Sequence, residues 1–298
     1  MNWAGVLPAV TTRFNDNLSV DYNFVASHCR WMIDAGCTGI VALGSLGESA
    51  TLCYDEKIKI LGTIVEAVGD RVPVVAGISA LSTAGAVSLA REAERSGCKG
   101  LMVLPPYVYS SDWREMKAHV ASVIGATALS CMLYNNPVAY RTDFLPEQIV
   151  ELASEHSNLN AVKESSTDVR RISAIRALCG DRLQIAAGVD DVIVEAIGVG
   201  ATGWIAGLVN AFPVESVKLF EWSLNGEHEK AFELYRWFLP LLRLDTVPKF
   251  VQLIKLTQAA VNMGSVSVRP PRLPLSGSEL TDANQIINEA LATRPSLT

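Results

Sequence analysis

One short apolar run carries a lysine where water should be scarce: Asn160-Ala-Val-Lys163-Glu-Ser-Ser. If the run is a strand, alternation puts Ala161, Lys163 and Ser165 on one face and Val162 and Glu164 on the other. The Lys163 amine either snorkels to solvent or is a nucleophile that forms a Schiff base with a carbonyl substrate. An ordinary lysine is only about 0.1% neutral at neutral pH. Desolvation of roughly 3 units would make the neutral amine a major species. A second run, Met132-Leu-Tyr134-Asn-Asn-Pro137, ends on a phenol that shares a face with Ser130 and Met132. Tyr134 is either a packed aromatic or a group that moves protons to and from a carbinolamine. Gly44-Ser45-Leu-Gly-Glu48 offers a hydroxyl and free amides to a carboxylate, though Glu48 also suits the first turn of a helix. Gly188 ends Ala186-Ala-Gly-Val-Asp-Asp, where a larger side chain would crowd a central ligand.

These groups need rigid elements to hold them. Short apolar runs recur at Gly5–Thr12, Gly39–Gly44, Val72–Ile78, Gly100–Pro105, Leu129–Asn135, Asn160–Glu164, Leu183–Ala187 and Gly203–Leu208. Each has the length and the Gly, Pro, Asn or Asp borders of a buried parallel strand. Segments between them have helical spacing, as in Phe24, His28 and Met32 or Ala86, Ala90 and Glu94. A weak repeat links Ala35-Gly-Cys-Thr-Gly-Ile-Val-Ala-Leu43 with Ser96-Gly-Cys-Lys-Gly-Leu-Met-Val-Leu104 and, more loosely, Gly198 to Ala206. Each copy places one glycine where a helix ends and another where a strand begins. Eight alternating units predict an α/β fold. With no G-x-G-x-x-G after the first strand, a (β/α)8 TIM barrel is preferred to a doubly wound sheet, which puts chemistry at the C-terminal strand ends. The barrel is expected over residues 1–223. A C-terminal helical extension over 224–298 has helices near Glu227–Leu242, Pro248–Met263 and Glu279–Ala292.

Composition narrows the partners. The chain has 298 residues, is 49% hydrophobic and carries a net charge of −6. It is therefore globular, and its acidity argues against nucleic acid and anionic membranes. Its longest low-polarity run, Ala196 to Val209, holds four glycines and falls short of the roughly 20 residues of a membrane span. The N-terminus shows no secretory pattern. Six cysteines, at 29, 37, 53, 98, 131 and 179, form no C-x-x-C pair and read as reduced thiols of a cytoplasmic protein. Four scattered histidines (28, 119, 156, 228) argue against a metal, and no phosphate-gripping loop follows the last two strands. No cofactor is expected.

Together, Gly44-Ser-Leu-Gly-Glu48, Tyr134-Asn-Asn-Pro137 and Lys163 resemble the dihydrodipicolinate synthase/N-acetylneuraminate lyase family, over nearly the whole chain. The resemblance implies a homotetrameric barrel acting on a small 2-oxo or cyclic 2-imino acid. It implies Lys163 as nucleophile, Tyr134 as proton shuttle and Ser45 as relay hydroxyl. Leu46, Gly47, Asn135, Arg141, Gly188 and Ile205 are expected around the substrate. Three positions depart from the family pattern. Leu46 replaces a second hydroxyl, Val108 falls where the synthase has a tyrosine reaching across an interface, and an extra residue shifts the substrate arginine toward Arg141.

Asn135-Asn-Pro-Val-Ala-Tyr140, Leu244-Asp-Thr-Val-Pro-Lys249 and Arg269-Pro-Pro-Arg-Leu-Pro274 look like a subgroup of hydroxyproline breakdown. That subgroup deaminates 1-pyrroline-4-hydroxy-2-carboxylate to 2-oxoglutarate semialdehyde and ammonia. The alternatives are a 2-oxo-acid aldolase or dehydratase, of the dihydrodipicolinate synthase or 2-keto-3-deoxy sugar acid type, and a non-catalytic barrel that only binds 2-oxo acids.

Overall fold

A computed structural model of the chain describes residues 1–106 and 112–297. Eight parallel strands are present: β1 (Gly5–Pro8), β2 (Ile40–Ala42), β3 (Val74–Ile78), β4 (Gly100–Val103), β5 (Ser130–Asn135), β6 (Leu159–Glu164), β7 (Gln184–Ala187) and β8 (Gly203–Ala206). They pair in the order β1-β8-β7-β6-β5-β4-β3-β2. A parallel bridge between Ala9 and Val41 brings β1 back to β2, so the sheet closes as a (β/α)8 TIM barrel.

The first helices are α1 (Tyr22–Asp34), α2 (Tyr54–Val68), α3 (Thr83–Arg95) and α4 (Trp113–Ile124). Next come the short α5 (Pro137–Tyr140), then α6 (Pro146–Glu155), α7 (Arg170–Cys179), α8 (Ile193–Gly198) and α9 (Pro213–Leu224). The extension holds α10 (His228–Leu242), α11 (Phe250–Ala260) and α12 (Gly277–Ala292). Among the described residues, no helix is long and apolar enough to cross a membrane.

Local chemistry sets the boundaries. Side chains of Asp21, Ser82 and Asp112 accept from the third amide onward and start α1, α3 and α4. Prolines stand at the first turns of α6 and α9. The repeat has a backbone cause: Gly36, Gly97 and Gly200 follow α1, α3 and α8 at φ of 104°, 91° and 108°, where a Cβ is disfavoured. Cys37 and Cys98, one residue on, are buried. The first strand is shorter than its apolar run. Beyond Pro8 the Thr11 amide donates to Asn210 Oδ1 (3.2 Å) and the Thr12 hydroxyl to Gly47 O (2.7 Å), and these bonds pull the chain out of the sheet.

Strand register fixes the interior. Tyr134 pairs with Lys163, Lys163 with Ala186, Ala186 with Gly203 and Met102 with Met132. In-register neighbours share a face, so Tyr134, Lys163, Ala186 and, two residues beyond Gly203, Ile205 all turn inward. Trp3 seals the opposite end, with its indole donating to Ser130 Oγ (2.9 Å). The extension packs through aromatics: Phe212 meets Trp237 and Phe238 edge-on, and the Trp237 indole donates to Ala290 O (3.0 Å).

Candidate active site

Lys163 sits at the C-terminal end of β6 with only 6% of its surface exposed. Its Nζ lies 4.1 Å from the centre of the Tyr134 ring. Burial lowers its pKa to about 8, although the charges of Asp245 and Asp190 favour the ammonium. The side chain needs room at the end of the next strand, and Gly188 provides it. A Cβ there would stand 2.5 Å from Lys163 Cε and 1.9 Å from Ser165 Oγ.

Tyr134 is equally enclosed, and burial raises its phenol above the ordinary value. Its Oη accepts from Asn136 Nδ2 (3.0 Å). Tyr140 stands edge-on to it, ring centres 5.8 Å apart, and the Tyr140 hydroxyl is hydrogen-bonded to Ser45 Oγ. Two phenols and a serine thus line one side of the lysine.

Two buried networks hold this arrangement from behind. In the first, Asn135 and Glu164, one residue beyond Tyr134 and Lys163, face outward. The Asn135 amide donates to Glu164 Oε2 (3.1 Å), Asp143 Oδ1 (3.2 Å) and Phe144 O (3.3 Å) and accepts from the Phe144 amide (3.0 Å). Arg171 grips Asp143 through two bonds of 2.6 Å. This clasp fixes the segment that carries Tyr140. In the second, Glu48 has a left-handed backbone (φ 55°) and a fully buried carboxylate. The carboxylate takes Lys255 Nζ at 2.5 Å and the Arg269 amide at 3.1 Å. Lys255 also donates to Ser267 O (2.7 Å). The loop bearing Ser45 is therefore tied to the extension.

Beyond β7 and β8, Asp190 is buried and satisfied. It receives Trp204 Nε1 (2.9 Å) and the amides of Gly207 (3.1 Å) and Leu208 (2.8 Å). Burial still pushes it up to about 6. Asp245, from the single turn Arg243–Asp245 after α10, leans over Gly207, where a Cβ would meet Asp245 Oδ1 at 2.2 Å.

Of the residues expected from sequence, the fold gathers Lys163, Tyr134, Ser45, Gly188 and Ile205 at one end of the barrel. Asn135 is corrected: odd-numbered beside Tyr134, it points away from the interior, and its amide is committed to the wall. Leu46 is 3% exposed and packs in the core, leaving its backbone toward the loop, and Gly47 is held through its carbonyl by Thr12. Arg141 is exposed, in a left-handed conformation at the end of α5. Val108 lies outside the described residues.

Sequence reasoning missed Tyr140 and Asp245. Both stand in segments quoted for the subgroup resemblance, Asn135 to Tyr140 and Leu244 to Lys249, and Tyr140 is a second hydroxyl in the stretch that begins at Tyr134. Clefts of about 500 Å³ beside Arg13 to Asn17 and about 330 Å³ between Leu253 and Ile286 lie elsewhere.

The chain matches the model of the dihydrodipicolinate synthetase family over residues 2–290. It is 32% identical over 285 residues to a 4-hydroxy-tetrahydrodipicolinate synthase of Caldicellulosiruptor saccharolyticus, covering 95% of this chain and 94% of that one. The enzyme of the same name from Geobacter metallireducens is 30% identical, over 96% and 98%. A crystal structure of dihydrodipicolinate synthase from Aquifex aeolicus superposes with a TM-score of 0.91 at 26% identity, over 96% and 97% of the two chains.

Proposed function

We propose, from the premise that this chain belongs to the dihydrodipicolinate synthetase family, that it is a class I lyase in which Lys163 forms a Schiff base with a small 2-oxo acid. The observation that carries this reading is a buried lysine with its pKa lowered to about 8, against a tyrosine ring, at the C-terminal end of a barrel strand. The neutral amine attacks C2 of the 2-oxo acid, and the carbinolamine loses water. Tyr134, whose ring centre lies 4.1 Å from the nitrogen, is suited to move those protons, and Tyr140 and Ser45 extend the path. Amides of the loop after β2 are suited to the substrate carboxylate.

Among finer readings, the relatives support aldol or dehydratase chemistry of the dihydrodipicolinate synthase type better than deamination. In it the Schiff base gives up a C3 proton, and the enamine joins, or is released from, an aldehyde carbon. Deamination of 1-pyrroline-4-hydroxy-2-carboxylate is the second reading, motivated by the segments Asn135 to Tyr140, Leu244 to Lys249 and Arg269 to Pro274. A homotetramer belongs to the same proposal. Sedimentation at about four times 32.1 kDa agrees with it, and a monomer refutes it.

Borohydride reduction in the presence of pyruvate tests the class. A mass increase is expected on the peptide containing Lys163 and none in Lys163→Ala. No adduct refutes the proposal. Products from a substrate panel then separate carbon–carbon bond chemistry from ammonia release. Saturable binding without turnover points to a barrel that only binds.

A further inference from the structure

Among the described residues, one buried carboxylate atom on the lysine's rim of the barrel, Asp245 Oδ1, has no hydrogen-bond partner. Such atoms cost about 1–3 kcal/mol each when left bare, so a fold that keeps one needs a reason. The contrast with Asp190 is direct. That carboxylate stands at the same strand ends and is satisfied by an indole and two amides, whereas Asp245 Oδ1 receives nothing.

Its placement is enforced. Leu244 is anchored in the core, Arg243 lies 3.6 Å from Asp191, and Tyr235 of α10 donates to the Asp191 carbonyl. Only a residue without a Cβ at 207 leaves the carboxyl in this place, because the carboxyl lies directly over it. Gly207 follows β8 at the end of the barrel where Lys163 lies on β6 and Gly188 follows β7, so Asp245 stands on the rim that carries the lysine, and its charge favours the Lys163 ammonium. Burial and the neighbouring Asp190 favour the neutral carboxyl, a group that both donates and accepts.

We propose that Asp245 is a specificity residue whose Oδ1 hydrogen-bonds a hydroxyl on C4 of the substrate, two carbons beyond the Schiff-base carbon. The inference rests on the Schiff-base reading and deepens it. Both finer readings place a hydroxyl at C4: aldol addition of a pyruvate enamine to an aldehyde creates one there, and the pyrroline carboxylate carries one. A site built around a substrate hydroxyl discriminates strongly against the analogue lacking it, because the buried protein group is then left unpaired.

The test compares 4-hydroxy-2-oxobutanoate with 2-oxobutanoate as probes for borohydride trapping on Lys163 in the full chain. Wild-type protein is expected to half-saturate with the hydroxylated probe at a concentration at least about tenfold lower. Asp245→Ala should erase that preference, read as the ratio of the two half-saturating concentrations, while Asp245→Asn, which keeps a donor and an acceptor, retains most of it. If Asp245→Ala does not fold, Gly207→Ala carries the same expectation, since its Cβ displaces the carboxyl without removing it. Equal losses for both probes mean that Asp245 acts only through the charge of Lys163, and they overturn the inference. So does trapping of both probes by wild type without preference. Wild type that traps neither overturns the Schiff-base reading and this inference with it.

Discussion

Adding one methyl group at Gly188 is expected to disable Lys163 while leaving the barrel folded. The new Cβ would lie 2.5 Å from Lys163 Cε, 2.8 Å from its Cγ and 1.9 Å from Ser165 Oγ. Carbon atoms pack at roughly 3.5–4.0 Å, so the lysine chain must swing aside by about 1 Å or more. Overpacking of this kind costs on the order of 1–3 kcal/mol, which a domain of this size survives. A displacement of about 1 Å at a reacting atom costs about a hundredfold in rate. Gly188→Ala should therefore trap pyruvate with borohydride about a hundredfold more slowly than wild type, with its melting temperature lowered by no more than about 10 °C. Gly62→Ala on α2 is the control, since its Cβ meets nothing within 4 Å. It should trap at the wild-type rate and be more stable by about 0.5–1 kcal/mol. Wild-type trapping in Gly188→Ala would show that Lys163 does not depend on the space beside β7.

With a pKa of about 8, Lys163 in the wild-type protein, faced by Asp245, Asp190 and Tyr134, should trap pyruvate at a rate that falls about tenfold per pH unit below about 7 and levels off above about 9; a flat profile refutes the assignment. The folded chain holds this proton less tightly than the ordinary value of 10.5 implies, so the cost of burying the lysine is full below pH 8 and fades toward 10.5. Thermal melts should accordingly show Lys163→Met more stable than wild type at neutral pH, with the gap closing at alkaline pH. Tyr140→Phe removes the partner of Ser45 and should lower turnover roughly tenfold to a hundredfold with little change in KM. Ser45→Ala should match it and the double variant should be no worse, whereas additive losses argue against a shared path. Glu48→Gln strands the Lys255 ammonium and should cost about 3–5 kcal/mol, read as a fall in melting temperature on the order of 10 °C; an unchanged melt refutes the role given to this pair.

The barrel was legible because its signal is local and repeated: eight apolar runs alternate with helical spacing and three of the units share a glycine at the helix end, so an error in one unit leaves the rest intact. The inward face of Lys163 and Tyr134 followed from alternation, and the same rule, applied one residue further, sends Asn135 outward. Tyr140 was harder to place. Its direction depends on a four-residue helix capped by Asn136 and closed by the left-handed Arg141, neither of which has a periodic signal. Asp245 stands in a quoted motif, but its place over Gly207, in a distant part of the chain, has no local signal. Leu46 reads as a lost hydroxyl in the sequence and as a core residue in the fold.

The buried pair of Glu48 and Lys255 also sets an order of events during synthesis. All eight strands, ending at Ala206, are translated before Asp245, Lys255 and Arg269. The carboxylate behind the β2 loop therefore has no counter-ion until the last quarter of the chain is made. A product ending before Lys255 would leave Glu48 without its partner and the loop after β2 without its anchor.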